Sequence, residues 1–378
     1  MIELTKPQYS KQKHADKMTF DFSEIHPAAK FHVTFQRTLR IPDDDKEYPL
    51  PPGLGAFPMV HTEDYRDRVP AKWLERQGVM LPMYQSEALW LQFAGEYDHE
   101  RGVHYPFALK IAAGKRSALT GKAWVQALKE KDYVVLPDQP WIDGFVVEEG
   151  VIRQFVAVPL GMGLTVEAQL SGEEAFGGIQ IEAYPMKLSE YEERFPKLPP
   201  RPTGGFLRGM GLGGSGTMDY CMEDSIGLSE DDAPIPCAAA VAPAADMGLG
   251  AGGKMRQQIF DDKYGLDVWD RDNKNRVYVH LANSLAWRAI TKTEPPNTPF
   301  TPAEYKSHGF PWFDYYKDNA KALAGTGKLK NIKSILQLGF QKGLSGVVQD
   351  NTSVEIPKEK IRNLTPIREK GRVKEGRW

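Results

Sequence analysis

Between residues 79 and 184 the chain packs seven short apolar or alternating segments, and their density limits the possible folds more than any other feature. They are Val79-Met-Leu81, Ala88-Leu-Trp-Leu-Gln-Phe93, Tyr105-Pro-Phe-Ala-Leu-Lys-Ile111, Tyr133-Val-Val-Leu136, Gly144-Phe-Val-Val147, Val151-Ile-Arg-Gln-Phe-Val-Ala-Val158 and Gly178-Ile-Gln-Ile-Glu-Ala-Tyr184. Their length and their β-branched and aromatic content mark them as strands. Only residues 122–131 read as a helix here, with Trp124, Ala127 and Leu128 on one face. Helices therefore do not alternate with strands, which excludes a doubly wound parallel sheet. The expected fold is mainly β, α+β overall: an antiparallel β-sandwich or barrel-like module completed by C-terminal strands, with few short helices. Glu148-Glu-Gly150 suits a hairpin with glycine in the left-handed position.

The 35 glycines and 28 prolines among 378 residues punctuate the chain often enough to favour short strands. Five segments follow. Residues 1–19 are polar and lysine-rich and read as a mobile arm. Residues 20–186 form the β-rich module, opened by Phe31-His-Val-Thr-Phe-Gln-Arg-Thr-Leu-Arg-Ile41, whose period-two pattern slips after Phe35 as at a bulge. Residues 187–254 begin with a short charged helix near 188–195 and continue as a flexible Gly/Ala/Pro-rich linker or insertion. Residues 255–345 offer strands at 255–260 and 276–281 and helices at 283–291 and 329–344. That is too little for an independent core, so this segment is expected to complete the first module. Residues 346–378 are a basic tail.

Charge is distributed unevenly. Residues 317–378 hold fourteen basic against six acidic side chains, while the whole chain carries a formal charge of −2. The body is thus acidic and the tail basic, which argues against a chain built to coat nucleic acid along its length. An anionic partner, or the acidic body of a second copy, is the expected contact of the tail. The only cysteines are Cys221 and Cys237, so a disulfide framework is excluded and a reducing compartment fits. No secretory leader pattern and no long apolar run is present. Cytoplasmic location and no membrane contact are the expectation.

The chemical motifs fail on context. Gly248-Leu-Gly-Ala-Gly-Gly253 satisfies the dinucleotide-loop pattern and begins a P-loop pattern, but Met255 stands where a Mg²⁺-binding hydroxyl belongs and no helix follows. Asp270-Arg-Asp-Asn-Lys-Asn275 starts like a calcium loop, yet Lys274 and Leu281 occupy ligand positions. It reads instead as a turn bonded by its own side chains. The eight histidines show no zinc spacing, and no G-x-S-x-G elbow exists. No cofactor and no metal are expected. Two candidate sites remain. His280, inside an apolar strand, is the weak catalytic candidate, with Asp267 or Asp270 as acidic partner in a hydrolase-like enzyme. Trp312, Phe313, Tyr315 and Tyr316 form the most aromatic stretch and are the candidate partner-binding group. The leading expectation is a non-enzymatic binding or self-associating structural protein, acting as a homo-oligomer or on a protein partner.

The phrases Met83-Tyr-Gln-Ser-Glu-Ala-Leu-Trp90, Ile152-Arg-Gln-Phe-Val-Ala157, Gly177-Gly-Ile-Gln180, Met247-Gly-Leu-Gly-Ala-Gly-Gly253, Val279-His-Leu-Ala-Asn-Ser284 and Phe310-Pro-Trp-Phe-Asp314 resemble those of a widespread family of uncharacterised proteins. Some members have a ubiquitin-like domain where this chain has its Gly/Ala-rich segment. The resemblance implies a tolerated insertion at 187–246 and carries no activity, cofactor or catalytic residue.

Overall fold

A computed structural model describes residues 1–5, 16–199, 246–296, 301–308, 311–314, 321–344 and 353–363. Numbering strands of three or more residues, these are β1 (Ile2–Thr5), β2 (Lys17–Asp21), β3 (Lys30–Thr38), β4 (Gly53–Ala56), β5 (Val79–Met83), β6 (Ala88–Gly95), β7 (Phe107–Ala113) and β8 (Val134–Leu136). They continue with β9 (Gly144–Glu148), β10 (Val151–Pro159), β11 (Ile179–Pro185), β12 (Asp246–Arg256), β13 (Asn275–Asn283), β14 (Trp312–Asp314) and β15 (Ile361–Asn363). The helices are short: α1 (Ala71–Arg76), α2 (Val166–Ser171), α3 (Leu188–Arg194), α4 (Ser284–Thr291), α5 (Pro302–Ser307), α6 (Gly327–Lys330) and α7 (Ile335–Gln341).

The main sheet follows one path of antiparallel neighbours, β1–β2–β3–β6–β10–β12–β13–β11–β7–β8. The expected mainly antiparallel β architecture is therefore present, and C-terminal strands complete it. Strand β12 lies between β10 and β13, while β13 lies between β11 and the parallel β5. Strands β9 and β10 form the hairpin, with Gly150 at φ 74°. The slip in β3 is a register shift between Gln36 and Thr38 against β4. The sheet coils onto itself: Phe31 of β3 stacks on Phe20 of β2 at 4.7 Å and meets Phe107 of β7 at 4.7 Å. Burying such aromatics against one another contributes to the apolar driving force for that coil.

Five local expectations are corrected. Residues 1–19 are not wholly an arm, because Ile2 and Leu4 alternate with polar residues and pair with Phe20 and Met18. The nearby lysines masked this period-two pattern. Residues 122–131 form no helix, since their carbonyls are taken by lysine side chains from outside the segment. The strand expected at 255–260 instead runs over Asp246–Arg256, so the glycine motif is strand rather than loop or linker. Within the expected tail, Ile361 pairs with Trp312 in a small parallel sheet. Asp43 opens a run of three aspartates whose pattern alone predicts a solvated loop, yet it lies 3.5 Å from Arg153 with its side chain 2% exposed.

The glycines of β12 explain why a strand of such low intrinsic propensity persists. Gly248, Gly250 and Gly252 share one face by the period of two. A Cβ on Gly248 would lie 2.8 Å from Thr165, and one on Gly250 would lie 2.3 Å from Ile335 and 2.9 Å from the Leu164 carbonyl. Their missing side chains admit the 160–165 loop and α7. Gly250→Ala is accordingly expected to destabilise by about 1–3 kcal/mol through overpacking. Ile335→Ala in the same chain is expected to recover part of that loss, and a double-mutant cycle by chemical denaturation checks the coupling.

Candidate functional site

Titratable groups converge where β12 and β13 meet α1. His280 of β13 is 0% exposed and lies between two rings, Trp73 of α1 at 4.7 Å and Tyr278 at 4.6 Å. Its Nε2 sits 2.9 Å from the Gln77 carbonyl. A carbonyl can only accept, so Nε2 carries the proton and Nδ1 keeps a lone pair, buried without a hydrogen-bond partner among the described residues. Burial drives the imidazole down to about 4, the Gln77 bond opposing and Arg76 adding to the shift. The ring is thus neutral at ordinary pH.

The residue His280 holds is itself unusual. Gln77 ends α1 at φ 54°, ψ −155°, a conformation costly for a residue with a Cβ. Gly78 follows at φ 90°, where a Cβ would come within 2.0 Å of the Tyr278 carbonyl. This turn opens α1 towards a cleft of about 300 Å³ lined by Thr62, Glu63, Arg66, Asp67, Leu74 and Gln77. Arg66 pairs with Glu63 at 2.8 Å there.

On the other side of α1, Arg76 donates to the Phe176 carbonyl at 2.7 Å and the Ala175 carbonyl at 2.9 Å. Tyr278 donates its hydroxyl to the Phe176 and Gly177 carbonyls. Glu167 of α2 accepts the amides of Ala175, Phe176 and Gly177, so one carboxylate organises the whole 175–177 turn. Asp246 begins β12 beside Trp73, whose indole N–H approaches it without meeting hydrogen-bond geometry. Burial pushes the Asp246 carboxyl up to about 6, against the pull of Trp73, Arg76 and Lys72.

Other buried charges do structural work. Asp98 accepts from Tyr191 at 2.8 Å and from the Glu100 and Arg101 amides, fastening α3. Asp143 and Gln257 exchange a reciprocal pair of bonds at 2.6 and 3.0 Å. Burial pushes Asp143 up to about 7, with the Gln257 bond opposing.

The structure does not bring the catalytic candidates together. Asp270 donates its amide to Pro185, at one end of β11, whereas Val279, next to His280, pairs with Ile179 at the other end. The separation is about 20 Å at the strand rise of roughly 3.3 Å per residue. Asp267 is fully exposed and pairs with Arg271; Asp270 accepts the Asp272 and Asn273 amides of the expected turn. The pairing of His280 with Asp267 or Asp270 is thus corrected: His280 is buried between two rings, and these aspartates belong to a distant turn. Trp312 is likewise corrected, being 1% exposed and edge-on to Tyr305 at 6.0 Å. Phe313 is half-buried and hydrogen-bonds through its backbone to Leu50, while Tyr315 and Tyr316 lie outside the described residues. Trp73, Arg76, Glu167 and Asp246 were not singled out in the sequence, because nothing local links residues so far apart.

Among the described residues no group of three or more metal-ligating side chains comes together, and no helix is long and apolar enough to cross a membrane. No family model, no curated protein and no solved structure matches the chain.

His280 and Asp246 oppose each other in pH. Burial holds His280 at about 4 in the fold against 6.5 for a free imidazole, so the unfolded state binds more protons between these values and stability falls on acidification. Burial holds Asp246 at about 6 in the fold against 3.8 for a free carboxyl, so there the fold binds more protons and stability falls as pH rises through that window. Comparing denaturation midpoints at pH 4.5 and 7, roughly the limits of these windows, His280→Gln is expected to lose less stability on acidification than wild type. Asp246→Asn is expected to lose more.

Proposed function

We propose that the protein is a non-enzymatic, self-associating structural protein, whose primary partner is a second copy of itself. The observation that carries this reading is Phe340, 67% exposed on α7. Leu336 stands one helical turn before it, and Leu344 and Met162 are further half-buried apolar neighbours of the cluster beneath. Contiguous exposed apolar surface marks contact sites, whereas singly scattered residues do not. The core under the patch is fixed by Ile335 and Leu338, both buried against Val156, Val158 and Leu164. A rigid base of this sort presents the patch without an ordering cost at each encounter.

Part of the buried charge supports the same reading, since Glu167, Asp98 and Lys110 bond to backbone amides and carbonyls of the fold. The basic tail supplies a second contact element in this proposal, towards the acidic body of the neighbouring copy. Its residues 346–352 and 364–378 lie outside the described residues. Phe340→Asp is expected to shift the protein towards monomer in size-exclusion chromatography with light scattering, while circular dichroism stays unchanged. A wild type that is monomeric at every concentration would overturn the proposal.

A further inference from the structure

Lys110 of β7 is 1% exposed and stands directly opposite Glu182 of β11 in the ladder. Its Nζ donates to the Val125 carbonyl at 2.6 Å and the Ala127 carbonyl at 3.0 Å, and lies 4.4 Å from the centre of the Trp124 ring. Lys274 donates to the intervening Gln126 carbonyl at 3.1 Å. Two lysines from the body therefore hold three consecutive carbonyls of one segment. Their charge is balanced from beneath by Asp132 at 3.6 Å and Glu182 at 3.9 Å from Lys110, and by Glu182 at 3.2 Å from Lys274.

Other attachments of this segment are few. Its entrance is tied by Ser117 to the Lys122 carbonyl and by Trp124 to the Lys115 carbonyl, and its exit by Asp132 to the Lys129 carbonyl. Among the described residues, no backbone-to-backbone hydrogen bond joins residues 125–128 to the sheet. Leu128 is buried and Trp124 half-buried, but Lys122, Val125, Gln126, Ala127, Lys129, Glu130 and Lys131 are exposed. A segment with little apolar burial and few ladder bonds opens at a lower free energy than the strands beneath it.

We propose that residues 122–131 form a strap, latched by the ammonium groups of Lys110 and Lys274, that opens as a unit while the sheet stays folded. Opening bares Trp124 and Leu128 together with the Lys110, Asp132 and Glu182 charges on the β7–β11 surface. The latch is electrostatic, so it is set by charge neutrality beneath the strap. Removing Lys110 alone would leave Lys274, Asp132 and Glu182 as a cluster with net negative charge; the informative variant is the charge-conserving pair Lys110→Met with Glu182→Gln, beside Lys274→Met.

Limited tryptic digestion and hydrogen–deuterium exchange of the full chain test the strap. Cleavage after Lys122, Lys129 and Lys131 is expected to rise roughly tenfold or more in both variants, with exchange in β7, β10 and β11 unchanged. Unchanged cleavage in a folded variant, or loss of protection across the strands in parallel with the strap, would overturn the proposal. If the paired variant fails to fold, Lys274→Met decides alone by the same two readouts.

Discussion

The close approach of backbone to side chain along β12 is the constraint on which the rest of the structure depends. With Gly248, Gly250 and Gly252 turned to one face, Thr165, Leu164 and Ile335 reach the strand itself. That contact fixes α7, and α7 carries the exposed Phe340. On its edges the same strand ties β10 to β13, so the N-terminal and C-terminal parts of the chain share one ladder. A glycine-rich strand is intrinsically weak; here packing from one face and hydrogen bonds from both edges outweigh that weakness.

Buried charge follows a second rule across the molecule. Glu167, Asp98, Lys110 and Arg76 each engage backbone groups of an irregular segment, which leaves turns and straps ordered where secondary structure supplies no partners. His280, though neutral, acts in the same way: it donates to Gln77 and fills the space between Trp73 and Tyr278.

Much of the architecture was legible in the sequence. The seven strand segments of the 79–184 region appear as β5 to β11, because length, β-branching and turn residues act locally. The turn at Asp270 and the left-handed Gly150 were readable for the same reason. Low-complexity composition hid β12, since alternating glycine serves a packing partner far away in the chain. The helix expected at 122–131 failed because its carbonyls bond to Lys110 and Lys274, which no local pattern reveals. The aromatic run at 312–316 suggested a surface, yet Trp312 is core because Ile361 and Tyr305 close over it. The site itself was the least legible part: His280 could be named, but its companions Trp73, Arg76, Glu167 and Asp246 meet only through the sheet.

A shared ladder makes a direct demand on the chain. A protease site introduced within residues 200–245 and cut in the folded protein leaves β1–β11 on one fragment and β12–β15 on the other. Native mass spectrometry and chemical unfolding then report whether the two remain one body. Co-migrating fragments that unfold in a single transition are the predicted result. Fragments that separate under native conditions, each keeping its own structure, would contradict a sheet completed by β12 and β13.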